Sequence, residues 1–358
     1  MDDTDFIFKP SLTSWNRDDN SGASAVPVLK QGHIVPTVQS SILEFLSIAQ
    51  ALNIDILPIT WQPALPTIGE GATAYVLQSP FAENARFAFK RMRPVSQEEK
   101  IWNMRALIAE LLILGQPSIR THPCISPLQG ICWDVSSMTD EVCPVLVFGK
   151  ANNGDLGTFM ASTVGPRLSY FSRVAMCFQM GDAIRTMHEL GVVHGDIKPQ
   201  NVLVFGGRNT VHFVRISDFG YSTLFAKLED KILMPQTPPW IAPEYHKGQA
   251  VDRAAAQKMD VYSFGLLCLW LLFYNVHVPS PSTFYDDIKS GTLPLALAIQ
   301  KVENLHDKEQ RNAIREFFTH SICPSPEDRC SNFSDMLKYL GTGWYFAPIL
   351  ELVPMLIV

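Results

Sequence analysis

The sequence predicts an α+β fold with two lobes, in which a small strand-rich lobe precedes a larger and mostly helical one. Between residues 61 and 148, short runs such as "AYVLQ", "RFAFKRM" and "CPVLVFG" predict strands, and one helical stretch near residues 104–114 interrupts them. From residue 152 onward, apolar residues recur every three to four positions, most clearly over residues 169–191, which is typical of packed helices. We therefore expect a sheet with one helix, followed by a helical lobe.

The composition is that of an ordinary globular protein. Of the 358 residues, 47% are apolar and 18% are charged, and the formal net charge is −6, so a sizeable core is available and no nucleic-acid partner is expected. The longest apolar runs, residues 261–273 and 348–358, are shorter than the roughly 20 residues that a membrane-spanning helix needs. No membrane span is therefore expected.

Cysteine usage and the first residues of the chain indicate the compartment. The seven cysteines are odd in number and none has CxxC spacing, which favours reduced thiols over a zinc site or a disulfide framework. The start, "MDDTDFIFKP", is acidic and lacks the pattern of a secretory signal. We expect an intracellular protein, cytoplasmic or nuclear; the sequence carries no signal for its oligomeric state.

Three parts are expected along the chain. Residues 1–60 form an extension that is expected to be partly disordered, with a helix over 40–54. Residues 61–340 form the two-lobed body. Residues 341–358 form an apolar tail, to which the sequence assigns no role.

The segment "HGDIKPQN" places three chemically distinct groups on one loop between apolar runs. Asp196 offers a carboxylate, Lys198 a cation and Asn201 an amide oxygen. Phosphoryl transfer mainly requires positioning and charge neutralisation, and these three residue types supply both. Each residue alone is compatible with an ordinary solvated loop.

A second carboxylate follows in "ISDFGYS". Asp218 comes after the apolar run "FVRI" and just before a glycine that permits a sharp turn. Magnesium ions take few protein carboxylates in addition to phosphate oxygens, so Asp218 together with Asn201 would suit such an ion.

Upstream, a glycine-rich turn and a strand lysine point to phosphate binding. In "IGEGATAYV", Gly69 and Gly71 would let the backbone approach a phosphate closely, while Ala74 stands where a third glycine would complete the pattern. Lys90 ends the apolar run "FAFK" and needs an anionic partner if it is buried, for which Glu110 is the candidate.

A third acidic position lies further along the chain, in "PPWIAPEYH". Glu244 would also need a cationic partner if it were buried. Arg329, in "PSPEDRCSNF", is the candidate.

Taken in order, these segments resemble a eukaryotic-type protein kinase domain across residues 61–340. The glycine-rich loop, strand lysine, helix glutamate, catalytic loop, D-F-G, A-P-E and an aspartate (Asp260) opening a buried helix follow in the family's order. The resemblance implies a protein-kinase-like fold: a small N-lobe (61–148) with an antiparallel sheet, a hinge (149–151) and a helical C-lobe (152–340).

The resemblance also implies roles for individual residues, with ATP and Mg²⁺ as cofactors. Catalytic roles fall to Asp196, which accepts the proton of the substrate hydroxyl, to Lys198, which neutralises the γ-phosphate, and to Thr237, which hydrogen-bonds both. Metal binding falls to Asn201 and Asp218. Nucleotide binding falls to Gly69, Gly71, Ala74, Val76, Lys90, Glu110, Gly149 and Ala151, with Phe148 at the gatekeeper position. Lys198 and Thr237 match the serine/threonine type, so the implied substrate is a protein with Ser or Thr acceptors.

The segment also departs from the family pattern. The usual H-R-D is His194-Gly195-Asp196 here, so the arginine that normally pairs with a phosphorylated activation-loop residue is missing. We therefore expect activity that does not require phosphorylation between Asp218 and Glu244.

Two alternatives to a protein kinase stay open at this point. A pseudokinase would use the same fold as a nucleotide-binding scaffold or allosteric partner, although the residues usually lost in that class are present. A small-molecule phosphotransferase of related fold is favoured by H-G-D but not by the D-F-G and A-P-E segments. An interaction function of residues 1–60 or of the tail would add to catalysis.

Overall fold

The computed structural model describes residues 38–61, 67–70, 74–78, 86–92, 97–135, 142–206, 211–225, 230–235, 237–246, 248–274, 284, 288 and 293–341. The helices are α1 (Val38–Ala51), α2 (Gln97–Leu114), α3 (Pro117–Arg120), α4 (Leu156–Ala161), α5 (Tyr170–Glu189), α6 (Arg253–Leu269), α7 (Pro294–Val302), α8 (Lys308–Ser321) and α9 (Phe333–Gly341). The strands are β1 (Ile56–Trp61), β2 (Thr67–Glu70), β3 (Ala74–Gln78), β4 (Phe87–Met92), β5 (Leu128–Val135), β6 (Val142–Gly149), β7 (Val192–Val193), β8 (Val202–Phe205), β9 (Phe213–Ile216), β10 (Thr223–Leu224), β11 (Lys231–Leu233) and β12 (Ala250–Asp252).

The N-terminal lobe is built on one six-stranded sheet with the order β1-β5-β6-β4-β3-β2. Every neighbouring pair is antiparallel except β1 and β5, which run parallel. Its strands include the three runs that the sequence analysis selected, and their β-branched and aromatic residues suit a half-buried pleated surface. The two-lobed α+β prediction is confirmed.

The N-terminal lobe has more parts than the sequence predicts. Besides α2 it carries the short helix α3 and also α1, which spans Val38–Ala51 where 40–54 was expected. Its first strand begins at Ile56, before the expected boundary at 61. The described part of the extension, residues 38–60, joins the lobe because apolar side chains of α1 are buried there: Phe45, Ile48 and Ala49 are at most 1% exposed. Residues 1–37, where disorder was expected, lie outside the described residues.

The C-terminal lobe surrounds helix α5. This helix begins where the Ser169 side chain accepts a hydrogen bond from Ser172 N, an N-cap that satisfies one of its unpaired donors. α5 buries residues on most of its circumference, and α9 and β9 pack along it. α6 starts in the same way, at the Asp252 N-cap, and continues into a π-helical turn over Trp270–Tyr274. These buried helices hold the loops between them in place.

The described residues include neither a membrane-spanning helix nor a disulfide. Among the residues the structure describes, no helix combines the length and apolar character that crossing a membrane requires. All seven cysteines fall in these residues and none forms a disulfide.

Candidate active site

The loop 194–201 joins β7 to β8 and places its carboxylate at the centre of a hydrogen-bond cluster. Asp196 is only 3% exposed. Its Oδ1 accepts from Thr237 Oγ1 at 2.8 Å. Its Oδ2 lies 2.7 Å from Lys198 Nζ and accepts from Asn201 Nδ2 at 2.9 Å. A lysine and two polar side chains therefore fix both oxygens of this carboxylate in position.

Asp260 of α6 holds the backbone of this loop. Its carboxylate accepts from the amide groups of His194 at 2.8 Å and Gly195 at 2.9 Å, and His188 Nε2 lies 3.0 Å from Oδ2. Gly195 has φ +80°, a conformation that glycine adopts readily and other residues do not. Asp260 was expected to open its helix; it lies two turns inside it instead. From this position it holds the loop through hydrogen bonds to the amide groups of His194 and Gly195.

The β8–β9 hairpin brings Asn201 and Asp218 to the same end of a strand pair. Val202 pairs with Ile216 in the antiparallel register, so the residue before β8 and the residues after β9 are neighbours. Ser217 joins them, since its amide and its hydroxyl both donate to the Asn201 carbonyl at 2.9 and 3.1 Å. Asp218 itself has φ +62°.

These two residues fit a divalent cation by their donor chemistry. Asn201 Nδ2 donates to Asp196, which leaves the Asn201 amide oxygen as the atom suited to a cation. Asp218 uses Oδ1 for Lys90, and its side chain is 36% exposed, which leaves Oδ2 for a further ligand. One carboxylate and one amide oxygen suit Mg²⁺, which completes its coordination with phosphate oxygens and water.

Lys90 lies between two carboxylates. Its ammonium group is 2.8 and 2.7 Å from the two oxygens of Glu110 and 2.7 Å from Asp218 Oδ1. The pairing with Glu110 was the sequence-based expectation, whereas nothing in the sequence indicated the contact with Asp218. The three groups bring strand β4, helix α2 and the β9 end of the hairpin together around one charge.

The pKa directions follow from this arrangement. Burial alone would lower the pKa of Lys90, but Asp218 and Glu110 outweigh it and raise that pKa, so the ammonium stays charged. Burial raises the pKa of Glu110 more than Lys90 lowers it. For Asp218, burial acts to raise the pKa, but the charge and hydrogen bond of Lys90 outweigh it and lower the pKa below its ordinary value.

The strands beneath the glycine-rich turn are adjacent to Lys90. Gly69 is in β2 and pairs with Val76 of β3, which in turn pairs with Lys90 of β4. Ala74, at the start of β3, is 4% exposed. Gly71 lies outside the described residues. The observed backbone therefore brings Gly69, Val76 and Lys90 together across three neighbouring strands.

The segment between the lobes follows β6. Gly149 ends that strand, pairs with Phe87, and would have open space around an added Cβ. Phe148 precedes it and is partly buried against the core, and Ala151 follows two residues later, half-buried. These residues therefore lie at and just after the end of β6, beside the strand that contains Lys90.

The described part of the segment after Asp218 is held by hydrogen bonds within the chain. The Ser222 hydroxyl is buried and donates to the carbonyl of His194 at 3.0 Å, and Thr237 donates to Asp196. Further along, β11 pairs in antiparallel fashion with β12, directly before α6. A cleft beside Asp196 is lined by Pro235, Thr237, Trp240 and Tyr245, among others.

Glu244 and Arg329 form the ion pair that the sequence suggested. Two parallel hydrogen bonds of 2.6 and 2.7 Å join them, and the Arg329 side chain is fully buried. Arg329 also donates to the carbonyls of Cys323, Pro324 and Lys258. A bidentate pair of this kind fixes the end of the segment to the helical lobe.

Sequence reasoning missed His188 and gave Asp260 only the place of a family landmark. His188 lies in the last turn of α5, and Asp260 sits among buried apolar residues of α6. The usable signal was the charge itself, since an aspartate inside the run "KMDVYSFGLL" must find donors when it is buried. The identity of those donors depends on the packing of α5 and α6.

Comparisons with known proteins agree with this geometry. The pattern of the protein kinase domain family matches residues 64–348. A probable LRR receptor-like serine/threonine-protein kinase of Arabidopsis thaliana is 30% identical over 56% of this chain and 18% of its own length. The salt tolerance receptor-like cytoplasmic kinase 1 of Oryza sativa subsp. japonica is 35% identical over 47% of the chain and 45% of its own. The serine/threonine-protein kinase Pkn1 of Myxococcus xanthus is 34% identical over 32% and 17%.

The chain spans less than half of the length of each of these curated relatives. The family match, by contrast, covers most of the chain itself and includes the loop around Asp196, the hairpin that ends at Asp218 and the Lys90 cluster. The chain therefore belongs to the protein kinase domain family.

Proposed function

We propose that the chain transfers the γ-phosphate of Mg²⁺-ATP to Ser or Thr hydroxyls of protein substrates. The observation that carries this proposal is the Asp196 carboxylate, held on one oxygen by Thr237 and on the other by Lys198 and Asn201. A carboxylate held in this way can accept a proton from a hydroxyl group placed next to it. The names of the relatives support the choice of Ser and Thr acceptors.

The reaction assigns a task to each group. The acceptor hydroxyl loses its proton to Asp196 as its oxygen attacks the γ-phosphorus, and the bond from that phosphorus to the β–γ bridging oxygen breaks, which releases ADP. Lys198 neutralises charge on the transferred group, and Lys90, held by Glu110, contacts the α- and β-phosphates. A Mg²⁺ ion at Asn201 and Asp218 would neutralise further phosphate charge. Gly69, Gly71, Ala74 and Val76 would cover the phosphates, and Gly149 and Ala151 would bind adenine.

We further propose that this activity does not depend on phosphorylation between Asp218 and Glu244. Gly195 offers no side chain to pair with a phosphate. Ser222 and Thr237 each use their hydroxyl in an internal hydrogen bond, and Ser222 is 3% exposed. The pairing of β11 with β12 and the Glu244–Arg329 ion pair support the ordering of the described part of this segment by contacts within the chain, without a phosphate group.

The test of transfer is incorporation of labelled phosphate from ATP and Mg²⁺ into a generic Ser/Thr substrate and into the chain itself. Asp196→Asn should abolish it. Asp155→Asn is the matched control: the half-buried Asp155 caps α4 by accepting a hydrogen bond from Thr158 N, and asparagine caps equally well. If wild type transfers nothing while ATP–Mg²⁺ still raises its melting temperature, a nucleotide-binding scaffold replaces the enzyme proposal.

The test of phosphorylation independence treats the purified protein with phosphatase and compares Ser222→Ala and Thr223→Ala with wild type. Full activity after treatment is expected. Loss of activity both after phosphatase and in either alanine variant would refute this second proposal and leave the first intact.

A further inference from the structure

Helix α1 lies outside the part of the chain that matches the kinase family, yet it belongs to the core of the N-terminal lobe. The family match begins at residue 64, whereas α1 ends at Ala51. Phe45, Ile48 and Ala49 are buried within the main apolar cluster, and Leu43 on the opposite side is 68% exposed. Among the described elements, α1 is the principal packing partner of α2.

The C-terminal end of α1 is fixed against the end of α2. The Arg120 guanidinium donates to the carbonyls of Leu52 and Asn53 at 3.2 Å each, which satisfies carbonyls that a helix end leaves unpaired. Asn53 has φ +50°, and Ile54 N donates back to Ala49 O, which completes the cap. At Gly115, just after α2, an added Cβ would lie 2.5 Å from Leu52 Cδ1.

From this cap the chain crosses to the sheet. Ile131 N donates to Asp55 O at 2.9 Å, and β1 then runs parallel to β5. At Gly130 an added Cβ would lie 2.8 Å from Asp55 O, so the two backbones are in close contact. The segment 38–61 therefore packs on α2 and then continues as an edge strand of the sheet. Lys90 lies in another strand of the same sheet.

Glu110 depends on the position of α2. It precedes Gly115 by little more than one turn, and its neighbours Leu107 and Leu111 are buried in the same cluster as Phe45 and Ile48. Both Glu110 oxygens reach the ammonium of Lys90 in β4. Because this ion pair joins the helix to the sheet, a displacement of α2 would separate the two charges.

We propose that α1 positions α2 for nucleotide binding, with Ile48 and Phe45 as positioning residues for the Lys90–Glu110 ion pair. In this proposal, helix α1 completes the nucleotide site, although it lies in the same chain outside the residues that match the family. The effect on phosphate transfer rests on the proposed function above. The effect on nucleotide binding does not.

The first experiment compares two chemically identical changes in the full chain. Ile48→Ala removes a side chain that is 1% exposed in α1, and Ile314→Ala removes one that is 2% exposed in α8 of the other lobe. We expect Ile48→Ala to lower kcat/KM for ATP about tenfold, a typical size for coupling through packed elements, and Ile314→Ala and Leu43→Ala to leave it unchanged. Ile48→Val should restore most of the loss. An equal loss in Ile48→Ala and Ile314→Ala would overturn the proposal.

The second experiment is a double-mutant cycle with Glu110→Gln. Once that carboxylate is removed, Ile48→Ala should cause no further loss of kcat/KM, since the interaction that it positions is already absent. Losses that multiply would show that α1 acts by another route and would overturn the proposal.

Nucleotide binding separates this proposal from the proposed function. The rise in melting temperature caused by ADP and Mg²⁺ should be smaller for Ile48→Ala than for Ile314→Ala, whether or not the protein transfers phosphate. If wild type shows this rise without transfer, the proposed function fails and the positioning role is decided by the shift alone. Equal shifts in the two variants would overturn it.

Discussion

Gly195 is the position at which one added methyl group should have a clear and measurable cost. Its φ of +80° lies in the left-handed region, and an added Cβ would lie 3.1 Å from the carbonyl oxygen of Tyr221 and 3.5 Å from Cδ of Pro235. Gly195→Ala therefore combines backbone strain with a contact that is too short. Gly248→Ala is the matched control, because Gly248 has φ +79° and nothing within 4 Å of an added Cβ.

The magnitude follows from these two contributions. Holding a residue with a Cβ in the left-handed conformation costs about 1–2 kcal/mol, and this cost applies to both variants. The contact with Tyr221 O should add about 1 kcal/mol at Gly195, which is typical of a modest overpacking strain. We expect Gly195→Ala to lower the free energy of unfolding by about 2–3 kcal/mol and the melting temperature by about 3–5 °C, because a domain of this size has a large entropy of unfolding.

Urea unfolding followed by far-UV circular dichroism measures the free energy of both variants beside wild type. If Gly195→Ala were as stable as wild type, the assignment of strain to this position would be refuted. A loss equal to that of Gly248→Ala would refute the contribution of the Tyr221 contact. Gly195→Arg, which restores the usual family residue, should be destabilised at least as much as Gly195→Ala, because it meets the same backbone.

Three further predictions concern the site. Thr237→Val removes the hydrogen bond to Asp196 and should lower kcat about ten- to a hundredfold, since a bond to a charged group contributes about 1.5–3 kcal/mol; Thr237→Ser should retain most of the activity in the same steady-state assay. Arg329→Met leaves Glu244 without its buried partner and should lower the free energy of unfolding by about 3–5 kcal/mol. Because Arg329 also donates to three carbonyls, a smaller loss for Arg329→Met than for Glu244→Gln would contradict this prediction. The pKa of Asp218 is lowered from its ordinary value of 3.8. Its ionised form therefore stabilises the fold at pH values above 3.8, and this contribution disappears as the pH falls through the pKa of Asp218 in the folded state. The stability difference between wild type and Asp218→Asn, measured by urea unfolding, should therefore shrink in acid, and a difference that stayed constant from about pH 6 to about pH 3 would contradict the assignment.

The sequence predicted well the partners that buried charges need, even for Glu244 and Arg329, which lie 85 residues apart. The pairing of Lys90 with Glu110 and of Glu244 with Arg329 followed from the cost of burying a lone charge, and both ion pairs are present in the structure. The strands around Lys90 and the helix within residues 169–191 followed from residue patterns.

Other contacts between distant parts of the chain could not be predicted. The parallel pairing of β1 with β5, the packing of α1 on α2 and the hydrogen bonds of Asp260 to the loop at His194 join segments about 60 residues or more apart. Hydrophobic periodicity shows that a helix has an apolar face, but it does not show which other element covers that face. The ion pair between Lys90 and Asp218 could not be predicted for the same reason, since it joins positions in different lobes.

The backbone conformation of Asp218 affects the choice of an inactive variant for structural or cellular work. At φ +62° the residue occupies a region that asparagine and aspartate tolerate better than alanine does. Asp218→Ala would remove the carboxylate and strain the turn at the same time, so a loss of activity in that variant would have two causes. Asp218→Asn keeps both the shape and the backbone preference of the residue, and it isolates the charge as the single property under test.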